Sequence, residues 1–199
     1  MNEYEKPFWE KNELVLGIDE VGRGPICGPL VIAGVILPIN YFNEDIKDSK
    51  KLSFKKIEKL YNLINEVSIK VVYKVVEPSI IDKLNIYQAT KKYMEEIVNE
   101  VKCQNALIDA MPLNTDYNTT SIIKGDSKSI SIAAASIVAK YIRDDIMIKY
   151  DSIYPEYGFK NHKGYPTKKH LEAIKLYGLK NFYRMTYGPC KKINEITLF

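Results

Sequence analysis

Cysteine and histidine are scarce in this chain of 199 residues, which contains three cysteines and two histidines. Cys27, Cys103 and Cys190 are odd in number, lie far apart and have no Cys-x-x-Cys or Cys/His spacing. The pattern therefore argues against a disulfide framework and a structural zinc site, and it predicts a reducing, cytoplasmic environment. His162 and His170 do not have the spacing of a zinc site or a catalytic triad, and we expect His162 to make a hydrogen bond within a loop.

Long apolar runs are also missing. The longest, residues 30–37, is too short to span a bilayer, and the start of the chain lacks the regions of a signal peptide, so a soluble protein is expected. No Walker sequence, serine elbow or dinucleotide fingerprint is present. The composition, 46% hydrophobic and 27% charged, is that of a globular protein. We predict one domain over 1–199, with a core at about 14–150 and a basic, helical C-terminal extension at about 151–199.

The charge is unevenly distributed along the chain. Residues 160–199 contain nine lysines and arginines against two glutamates, whereas the whole chain carries only +4. Aromatic residues alternate with these basic residues, at Tyr165, Tyr177, Phe182, Tyr183 and Tyr187. A basic surface with exposed rings suits a nucleic-acid backbone and its sugars or bases, although a solvated surface helix would give the same charge pattern.

Periodicity predicts alternating strands and helices, and therefore an α/β sheet. Two apolar runs on either side of a Gly/Pro-rich link predict a hairpin. The predicted strands are 14–19, 30–37, 69–76, 106–108 and 121–124. The predicted helices are 53–65, a short one from 78, 86–101, one from about 126 to 150, and 167–177 with Thr167 as its N-cap. Residues 151–163 are expected to form a loop, and the last twenty residues a small helix and a loose tail.

Four carboxylates stand where these strands end or where the next helix begins: Asp19, Glu20, Asp109 and Asp126. Ligands collect at this edge of an α/β sheet, and clustered carboxylates repel one another unless cations occupy the site. Two Mg²⁺ ions roughly 4 Å apart could there activate a water and stabilise the leaving oxygen of a phosphodiester. Each residue also has a simpler interpretation: a surface strand end for Asp19 and Glu20, an exposed turn for Asp109, and a helix N-cap for Asp126.

The turn after the first two carboxylates is Gly22-Arg23-Gly24, which lets the backbone and a guanidinium approach a phosphate closely. Together with the carboxylates, this turn indicates a nuclease-like site.

Five segments in order then resemble one family, bacterial ribonuclease HII, over about residues 14–188. They are Gly17-Ile18-Asp19-Glu20-Val21-Gly22-Arg23-Gly24-Pro25, Asp48-Ser49-Lys50-Lys51-Leu52, Asp109-Ala110, Gly125-Asp126-Ser127-Lys128-Ser129 and His162-Lys163-Gly164-Tyr165-Pro166-Thr167. The sister type, ribonuclease HIII, usually has an extra N-terminal domain and a glutamate as its fourth acidic residue. Here about a dozen residues precede the first strand and the fourth residue is Asp126, so both features favour ribonuclease HII.

The resemblance implies a ribonuclease H-like fold, with a central mixed sheet flanked by helices and a helical C-terminal extension. It implies cleavage of the RNA strand of RNA/DNA hybrids, and cleavage of duplex DNA on the 5′ side of a single ribonucleotide, leaving 3′-hydroxyl and 5′-phosphate ends. By the same resemblance, Asp19, Glu20, Asp109 and Asp126 would be the catalytic ligands of Mg²⁺ or Mn²⁺.

The resemblance also implies the nucleic-acid contacts. Gly22, Arg23 and Gly24 would read the ribose 2′-hydroxyl, which distinguishes RNA from DNA. Tyr165 would stack on the next deoxyribose, with a core or loop tyrosine as the alternative. Lys50 and Lys51 resemble phosphate contacts.

Two other functions would fit parts of the pattern. A junction resolvase of the same fold would use similar carboxylates but would not need the Gly22–Gly24 turn or Tyr165. A non-catalytic nucleic-acid-binding module would need only the basic C-terminal segment. We expect a monomer, since no dimer seam is visible. The tail, residues 195–199, loosely resembles peptides that dock on sliding clamps, with an ordinary tail that folds back on the domain through Leu198 and Phe199 as the favoured alternative.

Overall fold

The computed structural model describes residues 1–47 and 52–197 of the chain. Its strands are β1 (Val15–Val21), β2 (Leu30–Ile36), β3 (Lys70–Val76), β4 (Asn105–Asp109) and β5 (Asn118–Ile122). Its helices are α1 (Lys6–Trp9), α2 (Phe54–Val67), α3 (Pro78–Leu84), α4 (Ile86–Val101), α5 (Ile130–Ile153), α6 (Phe159–His162), α7 (Lys168–Tyr177) and α8 (Gly188–Thr197). Short 3-10 turns occupy Gly125–Ser127 and Pro155–Tyr157.

The five strands form one mixed sheet in the order β3-β2-β1-β4-β5. β1 and β2 are antiparallel, as the hairpin prediction required, and β2 and β3 are also antiparallel. β4 runs parallel to both β1 and β5. A central mixed sheet with helices on both faces confirms the predicted fold class.

Alternate residues of the strands pack on opposite faces of the sheet, as the period-two geometry of a strand requires. Val15, Val31 and Leu107 pack with α2 and α5. Leu16, Ile32 and Ile108 pack with α3 and α4 on the other face. The centre of the sheet is therefore buried on both faces.

Gly17 lets α5 lie directly against β1. A Cβ atom built at Gly17 would come within 2.1 Å of the Ser131 carbonyl carbon and 2.5 Å of the Ile132 nitrogen. Only a residue without a side chain permits this approach of the helix backbone to the strand. The contact fixes the first turn of α5 above the end of β1 that carries Asp19.

Several element bounds differ from the predictions. β5 covers 118–122, not 121–124, because the strand pairs in parallel with β4 from Asn105 onward. The long helix starts at Ile130, after the 3-10 turn, and the expected loop at 151–163 contains the end of α5, a 3-10 turn and α6. The helices at 54–67, 86–101 and 168–177 confirm the predicted ones, and α8 is the small helix expected near the end.

The C-terminal extension has its own buried aromatic cluster, which includes Tyr157, Phe159, Phe182 and Tyr183. Ile26 and Cys27, from the link between β1 and β2, lie in the same cluster. The extension is therefore packed on the loop that follows the first two carboxylates. Among the described residues, no helix is both long and apolar enough to cross a membrane.

Candidate active site

Strand pairing brings the first three carboxylates together. Ile18 of β1 is paired with Ile108 of β4, so the next residues along these parallel strands, Asp19 and Asp109, emerge side by side. Asp19 is buried, with 4% of its surface exposed, and Glu20 is partly buried beside it. The edge of the sheet where ligands collect in α/β proteins thus carries three carboxylates.

Asp126 reaches the same edge through the turn between β5 and α5. The backbone N–H of Gly125 donates a hydrogen bond to Asp109 Oδ1 at 2.7 Å. Ser129, not Asp126, caps α5, since its hydroxyl accepts from the N–H of Ile132 at 3.1 Å. Asp126 is 7% exposed. The N-cap interpretation of Asp126 is therefore wrong, and the turn anchors this residue beside Asp109.

Burial and mutual repulsion raise the pKa values of Asp19 and Glu20. Burial is the main cause of the raised pKa of Asp19, and the charges of Glu20 and Asp109 add to it, while a hydrogen bond with Ser136 opposes it. Burial also raises the pKa of Glu20 to about 7, against the opposing charge of Arg23. Both carboxylates hold their charge with difficulty in the absence of a cation.

The donor set fits a hard divalent cation, because carboxylate oxygens are the ligands that Mg²⁺ and Mn²⁺ prefer. Within 1–47 and 52–197, no three His, Cys, Asp or Glu side chains are already gathered into a ready-made metal centre.

A cleft of about 240 Å³ opens over the carboxylates. Its lining residues are Asp19, Glu20, Val21, Gly22, Arg23, Gly24, Asp109, Ser136, Lys140 and Tyr165. Three of the four predicted carboxylates, the whole Gly22–Gly24 turn and Tyr165 thus share one cleft, although they come from distant parts of the chain. Lys50 and Lys51 lie outside the described residues.

Gly22 and Gly24 shape the turn in different ways. Gly22 has φ +111°, and a Cβ atom there would lie 2.4 Å from Nε of the buried Arg143, so a side chain is excluded by conformation and by space. A Cβ atom at Gly24 would lie 3.3 Å from Cε1 of Tyr165. Arg23 reaches back to Glu20, with 3.5 Å between Nη1 and Oε1. The turn and the tyrosine therefore lie against each other where they line the cleft.

Tyr165 is half exposed, which excludes the core interpretation of this residue. Its backbone is held by His170, whose Nδ1 lies 2.8 Å from the Tyr165 carbonyl oxygen. Since that oxygen can only accept, Nδ1 carries the proton, and Nε2 accepts from the Tyr183 hydroxyl at 2.9 Å. Burial lowers the pKa of His170 to about 4, so the ring is neutral near pH 7, and its Nδ1 fixes the Tyr165 carbonyl.

His162 is the partner of His170. The two rings are stacked with their centroids 4.2 Å apart. The Gly164 N–H donates to His162 Nδ1 at 3.2 Å, and His162 Nε2 donates to the Tyr157 carbonyl oxygen at 2.9 Å. The predicted loop hydrogen bond of His162 is confirmed, and this histidine also supports the turn that presents Tyr165.

We expect His170 to make the folded protein less stable as the pH falls. Burial, with a smaller contribution from His162, lowers the pKa of His170 to about 4, whereas an unfolded histidine titrates near 6.5. Between these values only the unfolded chain takes up a proton here, so stability falls as pH falls from about 6.5 to about 4. Tyr183 and Cys27 also face the ring, and neither supplies a negative charge that would assist protonation.

Urea unfolding of the wild type and of His170→Asn at several pH values tests this expectation. The free energy of unfolding should change more steeply with pH in the wild type across this window, because the variant lacks the titrating ring. If the free energy of unfolding changes with pH to the same extent in both proteins, His170 is not the cause of this pH dependence.

Sequence reasoning missed two residues of the cleft, Ser136 and Lys140. Ser136 hydrogen-bonds Asp19, and Lys140 Nζ lies 2.9 Å from Asp144 Oδ2 at the edge of the cleft. Both lie on α5, and Arg143 continues the same helix face at a spacing of four and then three. Polar residues at this spacing in an alanine-rich helix were the available signal.

The aromatic part of the nucleic-acid prediction needs correction. Phe182 and Tyr183 are 5% and 1% exposed and lie in the aromatic cluster, so their rings cannot pack on sugars or bases. Tyr165 and Tyr177 are about half exposed. Some of the aromatic residues in this basic segment therefore form a small buried core, and only the others lie at the surface.

Comparison with known proteins gives a consistent result. A family model described as ribonuclease HII matches residues 16–190. The chain is 48% identical over 188 residues to a ribonuclease HII of Lactobacillus acidophilus, covering 94% of this chain and 75% of that protein. It is 47% identical over 193 residues to a ribonuclease HII of Acholeplasma laidlawii, covering 96% and 95%.

Solved structures agree on the fold. Ribonuclease H2 from Pyrococcus horikoshii OT3 superposes with a TM-score of 0.80 at 28% identity, covering 92% of this chain and 98% of that one. The PCNA:RNase HII complex from Archaeoglobus fulgidus gives a TM-score of 0.75 at 27% identity, covering 87% and 95%. Bst-RNase HIII in complex with Mn²⁺ shares the fold, with a TM-score of 0.69 at 17% identity over 92% of this chain and 70% of that one.

Proposed function

Because this chain belongs to the ribonuclease HII family, we propose that it hydrolyses the RNA strand of RNA/DNA hybrids and also cuts duplex DNA on the 5′ side of a single embedded ribonucleotide. The products would have 3′-hydroxyl and 5′-phosphate ends. The observation that carries the proposal is the shared cleft, in which Asp19, Glu20 and Asp109 face the turn of Gly22–Gly24 and Tyr165.

Asp19, Glu20, Asp109 and Asp126 would hold Mg²⁺ or Mn²⁺. The burial and raised pKa values of Asp19 and Glu20 support this role, because a cation would relieve the repulsion among the carboxylates. When bound, two divalent ions would supply activation of a water and stabilisation of the leaving oxygen. By holding the positive charge of these ions at the strand ends, the four carboxylates would orient the scissile phosphate.

The turn and the tyrosine would select the substrate. Backbone groups of Gly22, Arg23 and Gly24 can approach a ribose 2′-hydroxyl closely, because no side chain stands between the glycine backbone and the cleft. Half-exposed Tyr165, next to Gly24, could stack on the following deoxyribose. The two groups together would recognise an RNA-to-DNA junction.

Electrostatic attraction would hold the duplex. Lys140 lines the cleft, and Lys160, Lys163 and other basic residues of the C-terminal extension would contact phosphates. Lys50 and Lys51 are further proposed phosphate contacts. Such contacts would position both strands and add affinity without reading sequence.

The test is cleavage of a labelled DNA duplex that contains one ribonucleotide, beside an identical all-DNA duplex and a continuous RNA/DNA hybrid, with and without Mg²⁺ or Mn²⁺. We expect one metal-dependent cut on the 5′ side of the ribonucleotide, cleavage of the hybrid, and no cleavage of all-DNA. Cutting of both DNA duplexes would instead favour a junction resolvase or general nuclease. Binding that survives EDTA with no cleavage in either metal would favour a binding module.

Tyr165→Ala should impair cleavage at an isolated ribonucleotide more than cleavage of a continuous hybrid. In a hybrid, the nucleotide after the scissile bond is also RNA, so the proposed contact with a deoxyribose is not used. The ratio of kcat/KM values on the two substrates measures the effect, with about a tenfold change expected from the loss of one stacked base or sugar contact. Equal losses on both substrates would contradict junction recognition.

We also propose that the chain forms one domain, since Ile26 and Cys27 of the link between β1 and β2 share a cluster with the C-terminal extension, and that this domain is monomeric. A sliding clamp remains a proposed partner of the tail at 195–199, of which Leu198 and Phe199 lie outside the described residues. Deletion of the last five residues should weaken clamp binding. Unchanged binding would eliminate this partner site.

A further inference from the structure

The loop from Gly22 to Pro29 lies under two buried arginines that belong to other parts of the chain. Arg143, on α5, is 1% exposed and donates to the carbonyl oxygens of Pro29, Cys27 and Lys163 at 3.1, 3.3 and 3.0 Å. Arg184, in the C-terminal extension, is fully buried. Neither guanidinium lines the cleft, and both are used to hold backbone carbonyls.

Arg184 spans the loop from one end to the other. Its Nε and Nη2 donate to the Gly28 carbonyl oxygen at 3.2 and 2.9 Å, and its Nη1 donates to the Arg23 carbonyl oxygen at 3.1 Å. The planar guanidinium fixes its donors in one fork, so these bonds set the separation of the two carbonyls.

Tyr187 completes the arrangement at Arg23. Its hydroxyl donates to the Arg23 carbonyl oxygen at 2.7 Å and accepts from Arg184 Nη1 at 3.1 Å. The guanidinium also lies over the tyrosine ring, 5.1 Å from its centroid. Asp82 of α3 accepts from the backbone N–H groups of Met185 and Thr186, which ties this part of the chain to the main domain.

The carbonyl of Arg23 and the N–H of Gly24 belong to the same trans peptide, so they point in opposite directions. The two donors that hold the carbonyl therefore direct the Gly24 N–H away from Arg184 and Tyr187, and Gly24 itself lines the cleft. Loss of one donor would let this peptide plane rotate.

We propose that Tyr187, together with Arg184, is a positioning residue that orients the Arg23–Gly24 peptide and so sets the recognition of the ribose 2′-hydroxyl. The inference rests on the proposed function of the Gly22–Gly24 turn. The C-terminal extension then has a second role beside phosphate attraction, since it fixes the group that distinguishes RNA from DNA.

The test variant is Tyr187→Phe, which removes one oxygen atom from a partly buried side chain and keeps the ring beneath Arg184. Tyr73→Phe is the matched control, because Tyr73 is half exposed on β3, away from the cleft. Each protein is assayed on two duplexes, one with a single ribonucleotide and one with a 2′-fluoro-2′-deoxynucleotide at the same position.

We expect Tyr187→Phe to lower kcat on the ribonucleotide about tenfold while KM changes less than about twofold, since phosphate contacts remain. Replacement of the 2′-hydroxyl by fluorine should also lower kcat less in the variant than in the wild type, because the contact with the 2′-hydroxyl is already weakened in the variant. Tm should stay near that of the wild type, and the control should behave as the wild type does.

An unchanged kcat, or the same fall in kcat on both duplexes, would overturn the positioning role. The Tyr187 hydroxyl would then not be coupled to the 2′-position of the substrate. A fall in Tm with proportional loss on both duplexes would assign Tyr187 to stability alone and would also overturn it. Equal cleavage of the two duplexes by the wild type is a separate result, which would refute 2′-hydroxyl reading by the turn.

Discussion

Asp126→Asn should abolish cleavage while leaving the fold and most of the duplex affinity intact. Asparagine has nearly the same shape, so the turn at 125–127 and its hydrogen bond from Gly125 to Asp109 should persist. The substitution removes one negative charge from the proposed cation site, and losing a charged group that acts on the transition state costs about a hundredfold to a thousandfold or more in kcat. Phosphate contacts from lysines and arginines should keep the duplex bound.

Single-turnover cleavage and duplex binding, measured on the same preparation, separate the two effects. Asp116→Asn is the control, since Asp116 is an exposed aspartate in the connection between β4 and β5 and lies outside the cleft. The control should cut at the wild-type rate. Near-normal turnover of Asp126→Asn would remove Asp126 from the set of essential carboxylates.

The central sheet was predictable because its signals are local. Continuous apolar runs predict β1 and β2, and the amphipathic period predicts α2 and α4, so their positions follow from neighbouring residues alone. The bounds of β5 were not predictable in this way. Its residues 118–120 are polar and largely exposed, and they form a strand because β4 offers a free edge beside them.

The candidate site was predictable as a set of residues but not as a geometry. The carboxylates and the glycine turn are recognisable in order along the chain, whereas Ser136 and Lys140 enter the cleft only because α5 crosses β1 at Gly17. Arg184 illustrates the same limit. Its charge contributes to a basic segment in the sequence, yet the folded chain buries it and uses it to hold carbonyl groups of a distant loop.

Gly17→Ala should destabilise the protein by about 3 kcal/mol or more, a large effect for the addition of one methyl group. The new Cβ would meet backbone atoms of Ser131 and Ile132 at 2.1 to 2.5 Å, and backbone in the first turn of a helix cannot move aside as a flexible side chain does. α5 would have to shift away from β1 along its length.

The measurement is urea unfolding at a fixed pH and metal concentration, with Gly188→Ala as the matched control. A Cβ atom at Gly188 meets nothing within 4 Å, so that variant should stay within about 0.5 kcal/mol of the wild type. Because α5 also carries Ser136, which bonds Asp19, the shift of the helix should reduce cleavage of the protein that remains folded. A Gly17→Ala variant with wild-type stability would mean that the helix is not fixed by this contact, and the placement of Ser136 and Lys140 over the carboxylates would then need another cause.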